Sequence, residues 1–314
     1  VILWQVNGSV IKTFPVEGGV ASAQFSPDGQ TIAAAINPVN TTETAGQVLR
    51  WNLAGTPLNA LPSQGEVTSI SFNPNGSTIA LAENASSTQI VNNNQVPVRQ
   101  FSGQISLWQF TGQKLQTFAA HDDRITSVRY SPNGQFLASG SWDNTVKLWT
   151  ADGKPLKTLT GHTGQVTNVQ FSPDGKTIAS TSYDTTIKLW NLDGKELKTL
   201  KGHTSTVTSV GFSQDGEKLI SASSDGNIKL WDFKRGSVLA NLKRNSSTVN
   251  SVVFSPDGTI VASANADQTI VLWNFNLNDV LQRGCQWLQD YLRNNPSISP
   301  DVHSLCNAVN DPRH

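Results

Sequence analysis

An all-β protein assembled by radial repetition is the fold class this sequence predicts, and three observations carry it. Tryptophans recur as Trp4, Trp51, Trp108, Trp149, Trp190, Trp231 and Trp273, each closing a short apolar segment, and the last five lie 41, 41, 41 and 42 residues apart. A turn of the type Phe/Tyr-Ser-Pro-Asp-Gly recurs six times between them, at 25–29, 72–76, 130–134, 171–175, 212–216 and 254–258. Each unit, read residue by residue, yields four short strands. A four-stranded sheet is too small to stand alone, so copies must bury one another's faces, and a ring of copies leaves only short edges.

The unit around Trp190 shows the strands in order. A run of Val, Thr and Phe at 166–172 is the first. Pro173-Asp174-Gly175 then reverses the chain, Pro presetting one turn position and Gly tolerating positive φ. The second strand follows at 177–182, Tyr183-Asp184 turns again, and 186–190 alternates Ile187 and Leu189 with Lys188 and Trp190. Asp193-Gly194 is a hairpin signal, and 196–200 is the fourth strand.

Gly161-His162, Ser180, Asp184 and Leu189-Trp190, repeated as Gly202-His203, Ser221, Asp225 and Leu230-Trp231, resemble the blades of WD-repeat β-propellers. The resemblance covers roughly residues 1–277, in repeats of about 20–61, 67–118, 125–159, 166–200, 207–242 and 249–277, after a half blade at 1–14. Half a blade plus six repeats makes seven, the commonest closure in that family. The expectation is therefore an all-β, seven-bladed WD-repeat β-propeller with an incomplete first blade and a short helical cap at 278–314. The sequence has no Met and opens mid-blade, so the chain is expected to continue upstream by at least ~25 residues, half of a ~40-residue blade. It also resembles the C-terminal propeller of bacterial multi-repeat WD proteins.

Composition narrows the partners. With 23 basic against 23 acidic residues and 15% charged, the chain lacks the basic excess that nucleic acid or an anionic membrane demands. Nine Trp and twelve Phe supply a core, and no apolar run reaches the ~20 residues of a membrane helix. Sequons such as those at Asn40 and Asn84 have little weight without evidence of secretion.

His162, Ser180 and Asp184 are the residue types of a hydrolytic triad. The set recurs as His121, Ser139 and Asp143, and as His203, Ser221 and Asp225, at the same spacing. A catalytic constellation occurs once per site. A repeated one reads as a buried hydrogen-bond network that includes Trp149, Trp190 and Trp231, as the family resemblance also implies. The three His lie one blade apart with no second ligand near them, so no metal is expected. Lys147, Lys188 and Lys229 read as solvated or snorkelling side chains rather than an anion site, and no phosphate-cradling loop is present. The sequence thus predicts no catalytic residue and no cofactor.

Departures from the repeat are the better functional clues. The first two repeats lack Gly-His and insert 7 and 17 extra residues between the second and third strands, counted against Ile178 to Trp190. In the longer insertion, spanning 84–102, segments 88–91 and 95–98 flank three Asn as a protruding hairpin; Gln89, Asn93 and Val96 represent it. In WD-repeat propellers this loop class lies on the narrower face, where partners dock. Trp142 and Tyr183 occupy the position before the turn Asp, and large aromatics there read as interface anchors. By family analogy Arg124 lies near them. The expected function is a non-enzymatic scaffold or sensor binding a protein or peptide, cytoplasmic, monomeric as a domain and part of a bacterial signalling protein. The alternative is a small-ligand or glycan receptor using the central channel mouth.

Beyond 277, Val280, Leu281, Gly284, Cys285, Leu288, Tyr291 and Leu292 recur at three and four, an amphipathic helix that ends near Pro296. A second short helix from Ser299-Pro300-Asp301 would carry Cys306. One Cys on each helix is compatible with a disulfide or with two buried thiols.

Overall fold

The structure, a computed structural model, describes residues 1–39, 45–90, 97–243 and 247–275, with the backbone alone at 86–90 and 97–100. These residues form strands and no helix. Strands β1 (Ile2–Trp4) and β2 (Val10–Thr13) pair only with each other. Blade one follows as β3 (Gly19–Phe25), β4 (Thr31–Asn37), β5 (Gln47–Asn52) and β6 (Pro57–Pro62). Blade two is β7 (Glu66–Phe72), β8 (Thr78–Ile90), β9 (Pro97–Gln109) and β10 (Lys114–His121). Blade three is β11 (Ile125–Tyr130), β12 (Phe136–Ser141), β13 (Val146–Thr150) and β14 (Pro155–Leu159). Blade four is β15 (Val166–Phe171), β16 (Thr177–Ser182), β17 (Ile187–Asn191) and β18 (Glu196–Leu200). Blade five is β19 (Val207–Phe212), β20 (Lys218–Ser223), β21 (Ile228–Asp232) and β22 (Val238–Leu242), and blade six is β23 (Val249–Phe254), β24 (Ile260–Asn265) and β25 (Ile270–Asn274). Within every blade the strands pair antiparallel in chain order.

The expected seven blades are thus corrected to six. Among the described residues the N-terminal segment forms a two-stranded sheet, paired with no strand of the six blades. Packing passes from β3 through β7, β11, β15 and β19 to β23, and no substantial contact joins β23 back to β3 among the described residues. The expected helical segment, with Cys285 and Cys306, lies outside the described residues.

Each core sits between two blades. Between blades three and four, Ala138, Val146, Leu148 and Leu159 meet Val166, Val169, Phe171, Ile178 and Trp190, all buried. The same positions repeat in the other junctions, and the pair β1–β2 is held by Phe14 packing with Ile32, Ala34, Ile36 and Trp51. Each large side chain buried this way contributes about 1.5–3 kcal/mol. The second strand of a blade is covered on both faces, and β16 is buried along its whole length. Apart from Ile178, its residues are Ala, Ser and Thr, which fit the limited space.

The recurrent turns work as their residues dictate. In each, the glycine N–H bonds the carbonyl of the residue after the Phe or Tyr, as Gly175 does to Ser172 at 2.8 Å, and Ser172 Oγ donates to Asp174. The six glycines all sit at φ between 67° and 72°, where a β-carbon is disfavoured.

Inner strands are also tied directly to one another. Thr68, Thr126, Thr167 and Thr208 each donate Oγ1 to the backbone carbonyl of the next blade, at Ile125, Val166, Val207 and Val249, over 2.5–2.8 Å. Blade one has Ala21 at this place, and there Asn37 reaches Val67 instead.

Candidate functional site

The repeated Ser, His and Asp sets form one geometry three times. His121 Nδ1 lies 2.8 Å from Asp143, its Nε2 2.7 Å from Ser139 Oγ, and Trp149 Nε1 donates to the same Oγ over 2.9 Å. Blade four repeats this with His162, Asp184, Ser180 and Trp190 at 2.7, 2.7 and 2.8 Å, and blade five with His203, Asp225, Ser221 and Trp231 at 2.9, 2.8 and 2.8 Å. Indole can only donate and an ionised carboxylate can only accept. The chain of protons therefore runs from Trp to Ser, from Ser to a neutral His and from His Nδ1 to Asp in blades four and five. Burial pushes the His162 and His203 imidazoles below their ordinary value, against the opposing pull of Asp184 and Asp225. Burial alone would raise the Asp143 carboxyl, but the bonds from His121 and Thr145 outweigh it and hold it down at about 2. Asp184 and Asp225 are lowered in the same way.

This arrangement is unsuited to nucleophilic catalysis. Ser139, Ser180 and Ser221 are 0% exposed, so no substrate carbonyl reaches their hydroxyls, and each oxygen already holds a Trp N–H. Among the described residues, no group of three or more His, Cys, Asp or Glu is placed to hold a metal ion. The lysines expected to be solvated are partly engaged: Lys147 donates to the Ala120 carbonyl and Lys188 pairs with Glu196.

Blades one and two solve the same positions differently. Strand β4 carries Ala34 and β8 carries Leu81 where the later blades have the hub serine. Leu81 is fully buried in the core between blades one and two, and Trp108 Nε1 is left buried without a hydrogen-bond partner. Asn37 and Asn84, at the register position of Trp142 and Tyr183, clamp the inner strand of the next blade through both amide atoms. Asn37 accepts from Val67 N–H and donates to Val67 C=O, at 2.8 and 2.9 Å. Asn84 does the same with Ile125, at 2.7 and 3.0 Å. Asn84 is 3% exposed, so its sequon describes a structural amide. Sequence reading missed both clamps.

The insertion of blade two takes an unexpected form. Its hairpin is no separate projection, because β8 and β9 run on for 13 residues each with unbroken pairing from Thr78 opposite Gln109 to Ile90 opposite Pro97. Gln89 pairs with Val98 in this ladder, while Asn93 and Val96 lie outside the described residues. The prolonged ladder also places Phe101 over Arg124. The Arg124 guanidinium sits between two rings, 4.9 Å from the centre of Phe101 and 5.0 Å from that of Trp142, and it pairs with Glu66. Each ring contact of this kind is worth about 0.5–1 kcal/mol at an exposed site. Trp142 and Tyr183 hold equivalent places, their N–H groups bonding the Arg124 and Gln165 carbonyls at 2.9 Å. Tyr183 is 52% exposed, and its side chain makes no hydrogen bond or ring contact among the described residues. Arg124 and Trp142 are thus brought together with Phe101 and Glu66, while Tyr183 stands free one blade on.

The fold, the repeats and the blade geometry define a WD-repeat β-propeller, and the chain is a WD-repeat protein. The family described as "WD domain, G-beta repeat" matches residues 112–150, 153–191, 194–232 and 236–274. Each match begins near the fourth strand of one blade and ends at the third strand of the next. A 48-residue stretch, 15% of this chain, is 46% identical to a Periodic tryptophan protein 2 homolog of Schizosaccharomyces pombe, and covers 6% of that protein. A 37-residue stretch, 12% of this chain, is 43% identical to an uncharacterized WD repeat-containing protein of Synechocystis sp., covering 3% of it. WD-repeat propellers commonly serve as protein-interaction scaffolds. No described helix is long and apolar enough to cross a membrane.

Proposed function

We propose that this propeller is a non-enzymatic module that binds a protein or peptide through the face carrying the turns after the second strands. One observation carries the reading: Tyr183 is an exposed aromatic one blade on from a group in which Phe101 and Trp142 both contact Arg124. Aromatic and Arg side chains held in place are the anchors that interfaces use, because little side-chain entropy remains to be lost on binding. The prolonged β8–β9 ladder stands next to this group and extends the surface. The setting in this reading is a larger bacterial signalling protein acting in the cytoplasm, with the propeller monomeric and a C-terminal segment at 278–314 distinct from it. The match to a bacterial WD-repeat protein supports the bacterial part of that setting alone.

A photo-crosslinking residue placed at Tyr183, and separately at Lys176 in a turn between the first and second strands, tests the site. Cross-links to one protein from the Tyr183 position, lost on Trp142→Ala with unfolding unchanged, are the expected result. Equal cross-linking from Lys176 would place the interface elsewhere.

A further inference from the structure

We infer that the central channel contains an anion site at Arg129, and that its ligand is a carboxylate. Arg129 lies on β11, the innermost strand of blade three, and the repeat register puts it level with Gln24, Ser71, Gln170, Gly211 and Val253 on the other inner strands. It is the one cation on these six strands. The one carboxylate is Glu66, at the start of β7, and Arg124 takes it. Arg129 is therefore a cation among neutral groups, with no acidic partner among the described residues.

Its hydrogen bonds leave one side of the guanidinium unused. All three go through Nη1, to Ser69 Oγ at 3.1 Å, to the Ile70 carbonyl at 3.3 Å and to the Val128 carbonyl at 2.9 Å. Nε and Nη2 bond nothing among the described residues. Arg50 shows what a self-sufficient arginine looks like in this protein. It is 2% exposed, and its Nε, Nη1 and Nη2 each donate to a backbone carbonyl, with Phe110 beneath the charge. Arg129 is fixed at one nitrogen only, which aims the remaining Nε and Nη2 donors as a pair. Two parallel N–H groups match the two oxygens of a planar carboxylate, and an anion there would offset the cost of a charge kept from water. That cost is visible in Arg129 itself, since burial pushes its guanidinium down to about 10.

The test uses the whole chain with isotope-labelled arginine side chains, titrated with sodium acetate against sodium chloride at constant ionic strength. Acetate should move one arginine Nε–H resonance saturably while chloride leaves it in place. Arg129→Gln should remove that resonance and weaken acetate binding by about tenfold or more, whereas Arg235→Gln, an exposed arginine paired with Asp232, should change nothing. Arg129→Lys keeps the charge without the paired donors and should fall between, and it serves where Arg129→Gln fails to fold. An equal response to chloride, no saturable shift, unchanged acetate binding in both Arg129 variants, or saturation by inorganic phosphate alone would overturn the assignment.

Discussion

Blades three to five and blades one and two share a sheet but are held by different side chains. In the later blades a serine hub joins Trp, His and Asp, tying the loop before a blade to that blade's own second and third strands. In the early blades the hub position is Ala34 or Leu81, no His precedes the first strand, and the tie runs outward, from Asn37 or Asn84 to the next blade. The difference teaches that a blade's sheet depends on inter-blade packing, while the polar ties decide which neighbours are locked. Blade two shows the cost of mixing the two schemes: with Leu81 in the hub position, Trp108 keeps its place but loses its acceptor.

Substitutions at the same register position should separate the schemes. Leu81→Ala should have the largest effect, about 2–5 kcal/mol, because it empties a buried site in the core between blades one and two. Ser180→Ala removes little volume but strands Trp190 Nε1 and His162 Nε2, and about 2–3 kcal/mol is expected. Urea midpoints at constant m would measure both, and a Ser180→Ala loss larger than that of Leu81→Ala would reverse the ranking. Asn84→Ala should cost about 1–3 kcal/mol, since Ile125 N–H loses its acceptor while Ile125 C=O keeps Thr68. Hydrogen exchange at Ile125 should accelerate while exchange in blade five stays unchanged.

Acidification should separate them as well. His162 and His203 hold protons less tightly folded than unfolded, so the unfolded chain takes up the extra protons as pH falls below about 6.5, and stability declines through that range. Asp143, held at about 2 against an ordinary 3.8, adds a second decline below pH 3.8. Replacing both His162 and His203 with Gln should flatten the first decline and leave the second. A first decline of unchanged size in that variant would remove these His from the account. The smallest effect concerns a turn. Thr185 is β-branched at φ 70°, where blade five has Gly226 at 77°. Thr185→Gly should therefore stabilise by about 0.5–1 kcal/mol, the left-handed strain exceeding the entropy glycine adds to the unfolded chain.

Much of this fold was legible because its signals are local. The Trp period, the Ser-Pro-Asp-Gly turns and the strand alternation each reside within a few residues, and they place six sheets in register. The count of seven failed because the two strands at 1–14 read as part of a blade, whereas they form a two-stranded sheet of their own among the described residues. Trp142 could be singled out by residue type and turn position, and Arg124 by family analogy. Phe101 and Glu66 could not, since Phe101 reaches Arg124 only through a strand ladder whose length no turn signal marks. The Asn clamps were equally hidden. An Asn at a strand end is ordinary, and its use is set by a backbone one blade away. Arg129 acquires meaning only when six inner strands are laid side by side and a cation is found without an acid.

The threonine bonds between inner strands all point the same way, from each blade to its successor. Blades three to five consequently each have a donating side and an accepting side, and the contact is head-to-tail rather than two-fold. A tandem duplicate of one of these three blades would bring both halves of the contact with it. The direction of four hydroxyl groups thus makes the blade a self-compatible part, one that a lineage can add or remove by unequal crossing-over.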